Sequence, residues 1–138
     1  MDYFDNEKIK DYGNTPIVTE LNYFTLKNKN YRTALWTGTH LQVTVMSIKQ
    51  NEDVGKEIHE NLDQMLYVVS GRAAVFMGKS EDDLSVKAYA DGGDAIFIPA
   101  GTYHNVINAG LFPLKMFSVY APVQHPYGTV QENKPTEE

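Results

Sequence analysis

Runs rich in Val, Ile, Thr, Phe and Tyr recur about every ten residues along this chain, punctuated by Gly, Asn, Asp and Pro. Long amphipathic patterns with 3.6-residue spacing are missing. Short strands of this kind bury their apolar faces by closing on one another, so the rhythm predicts an all-β, antiparallel sandwich or barrel. Strands are expected at 31–37, 41–48, 57–59, 64–70, 72–77, 85–90, 94–98, 104–108 and 114–121. The only helical signal, a weak one, lies at 5–12.

Three turns carry clear chemistry. Ser70-Gly71 is expected to close a tight hairpin, Asp91-Gly92-Gly93 supplies residues tolerant of positive φ, and Pro99-Ala100-Gly101 breaks one strand before the next. Together they predict a mostly local strand order. At 138 residues the chain is of single-domain size and can bury roughly two-thirds of its unfolded surface. We divide it into an N-terminal extension and edge strand at 1–30, the barrel at 31–122, and a C-terminal turn and polar tail at 123–138. Pro16, Val18, Leu21, Tyr23 and Phe24 are expected either to pack across a subunit boundary or to form a local edge strand. The tail from Gln131, QENKPTEE, reads as loosely ordered.

Composition removes several classes of function. There is no cysteine, so a metal site must be built from nitrogen and oxygen. The net charge is −6 and the twelve Lys and Arg are dispersed, which argues against a nucleic-acid partner. No apolar stretch approaches the length of a membrane span. The charged start, MDYFDNEKIKDYG, has no apolar core of the secretory kind, so a cytoplasmic protein is expected.

Two segments carry the chemistry. In GKEIHENLDQMLYVVSG, residues 55 to 71, strand alternation puts Glu57 and His59 on one face, and Gln64, Leu66 and Val68 on one face of the following strand. In GGDAIFIPAGTYHNVIN, residues 92 to 108, an apolar strand, a Pro-x-Gly turn and a histidine-led strand follow in order.

These segments resemble the two motifs of the cupin superfamily, G-x5-H-x-H-x3-4-E-x6-G and G-x5-P-x-G-x2-H-x3-N. The second motif is matched in full by Gly93, Pro99, Gly101, His104 and Asn108. The first is matched in part. Counting back from Gly71, Gln64 stands where the family usually has glutamate, His59 takes the second histidine position and Glu57 the first, while Gly55 is off the usual glycine position.

The resemblance implies a double-stranded β-helix, or jelly-roll, barrel that holds a divalent metal through three histidines and one glutamate. This chain offers Glu57, His59, Gln64 and His104 instead. One histidine has become a carboxylate and the carboxylate an amide, so the formal ligand charge stays at −1. Two imidazoles and one carboxylate suit Fe, Mn, Ni or Zn. Gln64 is either a weak amide-oxygen ligand or a group that orients water or a substrate hydroxyl. Asp63 points to the other face of its strand and is read as turn chemistry; His40 and His125 carry no motif support, and His125, in the QHPYGTV turn after the last strand, either caps the site or lies at the surface.

The function implied is that of a small metal-binding cupin, an enzyme on a small oxygenated molecule by dioxygenase or sugar-type isomerase or epimerase chemistry. Glu57 serves there as a ligand or, unbound, as a base. The alternative is a non-catalytic cupin that binds or senses a small molecule with weak or no metal affinity. Small cupins commonly pair, so a homodimer is expected.

Overall fold

In the computed structural model, residues 8–136 are described. The elements run α1 (Leu21–Lys27), β1 (Arg32–Thr37), β2 (Gln42–Ile48), β3 (Asp63–Ser70), β4 (Arg72–Gly78), β5 (Val86–Asp91), β6 (Ala95–Ile98), β7 (Tyr103–Asn108), β8 (Leu114–Ala121) and β9 (Val130–Gln131). Two antiparallel sheets result, one ordered β6-β3-β8-β2-β1-β9 and one ordered β5-β4-β7. They close face to face as a jelly-roll barrel.

The expected local strand order is wrong. Only β1–β2 and β4–β5 are both consecutive and paired; the other connections between β2 and β8 pass from one sheet to the other or skip across a sheet. Ser70-Gly71 is therefore a corner and not a hairpin, since β3 and β4 lie in different sheets. Gly71 has φ +106°, and a Cβ there would sit 3.2 Å from Leu114 Cα and 3.3 Å from Pro113 O. A corner and a hairpin need the same permissive residue, so sequence alone does not separate them.

Inside the barrel the strands stack their inward side chains in register. Ile48 faces Leu114; Met46 faces Met116, which faces Val68; Thr44 faces Ser118, which faces Leu66; Gln42 faces Tyr120, which faces Gln64. The interior thus changes along its length from wholly apolar to polar. Met46, Ile48, Leu66, Val68, Val75, Val106, Leu114 and Met116 belong to one buried cluster at the apolar end. The polar end carries the candidate site.

A second, smaller cluster lies outside the large sheet, where Phe24 of α1 packs with Leu35 and Val45, flanked by Ile9, Tyr12, Leu21 and Phe117. Seven residues are too few for a helix to be stable alone, and Glu20 offers no side-chain cap, so burial of Phe24 holds α1 in place. This helix replaces the edge strand expected in the N-terminal region. Phe24 is buried and Leu21 half-buried against their own chain, whereas Val18, Tyr23 and Leu26 stay exposed. The helix expected at 5–12 is not formed over 8–12, and its first three residues lie outside the described ones. The tail expected to be loose is anchored: β9 pairs with β1, Glu132 O accepts from Tyr31 N at 3.1 Å, and Lys134 pairs with Asp53.

Candidate metal centre

The segment at 57–59 was expected as a strand and is instead a single antiparallel bridge. Glu57 N donates to His104 O at 3.0 Å and His104 N donates to Glu57 O at 2.9 Å. Two residues on, the Pro99-Ala100-Gly101 turn is fastened to the same region, with Gly101 N donating to His59 O at 2.8 Å and Ala100 N to Asp63 Oδ1 at 3.0 Å. Gly101 makes this approach with φ +81°, a conformation that favours glycine. The two motifs are thus joined through backbone, and the side chains of Glu57 and His104 follow. Asp63 does the turn work read from its position.

Glu57, His59 and His104 converge, each offering one ligand atom, and no pair of these atoms is more than 4.8 Å apart. Glu57 Oε1 lies 3.1 Å from His59 Nε2 and 3.4 Å from His104 Nε2. Ligands about 2.1 Å from one ion stand roughly 3.0–4.2 Å from one another, so both separations suit a shared cation. His104 is 1% exposed, and its Nδ1 lies 3.1 Å from Thr102 O. A carbonyl can only accept, so Nδ1 carries a proton and Nε2 is the ring nitrogen left to face Glu57 or a cation. That Nε2 is buried and makes no formed hydrogen bond.

Gln64 is also buried at this polar end. Its Nε2 donates to Ser118 Oγ at 2.9 Å, which leaves Oε1 buried and without a partner. An amide held by its nitrogen presents its oxygen, the atom that a cation or a donor would use.

Burial pushes the Glu57 carboxyl up, but the two neighbouring imidazoles more than offset this and hold it down at about 2. It is a carboxylate throughout the neutral range. Burial lowers His125 to about 4, aided by the Arg32 charge and opposed by Glu57, so His125 is uncharged there. Its Nε2 sits 3.3 Å from Tyr120 Oη. Burial raises Tyr31 to about 12 despite Arg32 beside it, keeping the phenol neutral.

A cavity of about 190 Å³ opens beside these groups, lined by Tyr31, Arg32, Glu57, His59, His125 and Lys134 among others. Reading the sequence missed Tyr31 and Arg32. The available signal was a charged side chain at an inward position of an otherwise apolar strand. His40 is exposed, in keeping with its lack of motif support.

Residues 44–120 match the family model described as Cupin domain. The chain belongs to the cupin family. Among this cupin's relatives, the uncharacterised protein YrkC of Bacillus subtilis (strain 168) is 53% identical over 129 residues, covering 94% of this chain and 69% of YrkC. The uncharacterised protein L612 of Acanthamoeba polyphaga mimivirus is 38% identical over 112 residues, covering 80% of this cupin and 68% of its own length. The crystal structure of BH2720 from Bacillus halodurans superposes with a TM-score of 0.91 at 52% identity, over 91% of this cupin and 96% of that chain. KdgF from Halomonas sp. shares the fold at a TM-score of 0.60 and 22% identity, over 67% of this cupin and 80% of that chain. No helix among the described residues is long and apolar enough to cross a membrane.

Proposed function

We propose that Glu57, His59 and His104 hold one divalent cation, with Gln64 Oε1 as a fourth donor, and that this cupin is a metal-dependent enzyme acting on a small oxygenated molecule. The observation that carries this reading is the convergence of three ligand atoms, one of them the buried His104 Nε2, which makes no hydrogen bond and lies 3.4 Å from the Glu57 carboxylate. Such a nitrogen costs free energy when left bare, and a cation would satisfy it. The donor set fits Fe, Mn, Ni or Zn. When bound, the ion supplies Lewis-acid polarisation of a substrate oxygen.

The chain's own residues do the remaining work. Thr102 O fixes the His104 tautomer, Ser118 orients the Gln64 amide, and the cavity admits a molecule of only a few heavy atoms beside Glu57 and His59. Elemental analysis of untagged protein purified under metal-replete conditions is expected to give close to one equivalent of a transition metal. Glu57→Ala and His104→Ala should each retain well under a tenth of that while keeping a folded circular dichroism spectrum. Wild-type protein with less than about a tenth of an equivalent would instead favour a binding or sensing module that works without metal.

A further inference from the structure

We propose that the cavity beside Glu57 and His59 is an acid-binding site, in which the Arg32 guanidinium takes the carboxylate of a small 2-oxo or 2-hydroxy acid. The acid's neighbouring oxygen would then face the Glu57, His59 and His104 cluster. The inference rests on the metal-dependent reading above for the second half of that recognition, and on Arg32 alone for the first.

Arg32 lies opposite Met46 across β1 and β2, and therefore on the barrel's inward face. It is only 8% exposed. Its Nη1 donates to Gln131 Oε1 on β9, and its guanidinium sits 5.1 Å from the Tyr31 ring centroid. Its Nε is buried and makes no hydrogen bond. Among the described residues no carboxylate forms an ion pair with it: Asp53 is paired with Lys134, and Glu57 lies beside His59 and His104.

A guanidinium buried without a counter-charge is strongly disfavoured, and its planar fork matches a carboxylate in a way an ammonium does not. The charge count points the same way. With a divalent cation bound, Glu57 offsets one of three positive charges, the ion's two and Arg32's one. An anion entering the cavity would lower the remainder, whereas a neutral sugar would not. At about 190 Å³ the cavity is smaller than the roughly 300–1,000 Å³ typical of drug-sized ligands, which suits a short acid.

The test is calorimetric titration of the full chain with pyruvate, a carboxylate, and with hydroxyacetone, a neutral molecule of similar size carrying the same ketone. Each is titrated into the metal-loaded protein and into the same protein after chelation. Pyruvate should bind at least about tenfold more tightly than hydroxyacetone, and Arg32→Gln should remove that advantage. Arg32→Lys, which keeps the charge and loses the fork, should retain an intermediate part of it and decides the matter if Arg32→Gln does not fold. An Arg32-dependent preference that survives chelation in a protein never found with metal would leave the acid site standing and sink the metal reading. Equal binding of the two probes to metal-loaded protein would do the reverse. Pyruvate affinity that rises when Glu137 and Glu138 are changed to Gln would assign Arg32 to the chain's own carboxylates and overturn the proposal.

Discussion

His125 shows how one side chain records its surroundings. It lines the cavity, packs edge-on against Tyr120 with ring centroids 5.2 Å apart, and shares its field with Arg32, His59 and Glu57. Because burial and Arg32 hold its pKa near 4, below its ordinary 6.5, the unfolded chain takes up a proton at this residue before the folded chain does. Acid therefore favours unfolding through this group as the pH falls from 6.5 to 4, and the penalty is complete below that. Glu57 adds a second loss, beginning near 4.5 and running down towards 2, since its carboxylate is the form the fold prefers. Denaturant melts between pH 7 and 4 should show stability falling with acidity, and His125→Gln should flatten that slope while leaving the fall below pH 4.5 in place. An unchanged slope in the variant would mean that His125 takes up its proton as readily in the folded protein as in the unfolded chain.

The same scale explains what could be read from sequence and what could not. His59 and His104 were legible because backbone spacing fixes them: the turn at Gly101 and the bridge at Glu57 and His104 demand particular residues at particular distances along the chain. Arg32 was harder to read, because its burial depends on β9, which arrives about a hundred residues later, and its inward position on an apolar strand is the one local sign of it.

At the scale of elements, the motif residue Asn108 turns out to be a latch. It ends β7, is 4% exposed, and its amide nitrogen donates to Ile48 O at 3.0 Å and Phe112 O at 2.9 Å, while its Oδ1 accepts from Gly110 N at 2.8 Å. One side chain thus ties the end of β2 to the β7–β8 connection at the apolar end, far along the barrel from the candidate site. Asn108→Ala should cost about 2–3 kcal/mol of stability, read by urea melts, because it strips partners from the buried Ile48 carbonyl and from two half-buried backbone groups at once. Metal content of the folded fraction should stay at the wild-type level. The expected strands were nearly all found, because period-two burial is a local property of each strand. Their partners were misread, since a glycine that lets the chain turn does not say into which sheet it turns. The helix α1 escaped notice for a related reason, as its sequence LNYFTLK has weak helical preference and is held by Phe24 packing on β1 and β2.

At the scale of the whole molecule, the tail closes one wall of the cavity. Glu132 is fastened to Tyr31, Lys134 to Asp53, and Lys134, Pro135 and Thr136 line the space in front of Glu57 and His59. Removing residues 132–138 should weaken pyruvate binding several-fold while metal content stays near wild type, because the three clustered ligands come from elsewhere in the barrel. Parallel loss of both would show that the tail supports the cluster itself. The closing of the barrel was predictable from strand rhythm, but this use of an acidic, proline-containing tail was not, since its contacts are made with residues some eighty to a hundred positions away.

The graded interior described above, apolar at Ile48 and Leu114 and polar at Gln42, Tyr120 and Gln64, has a consequence for how such a chain can change. The apolar cluster sits at one pole and the candidate ligands at the other, so substitutions that retune the ligand or the ion fall outside that cluster. A lineage built on this plan can exchange a histidine for a glutamate, or a glutamate for a glutamine, and still inherit an intact vessel in which to try the new combination.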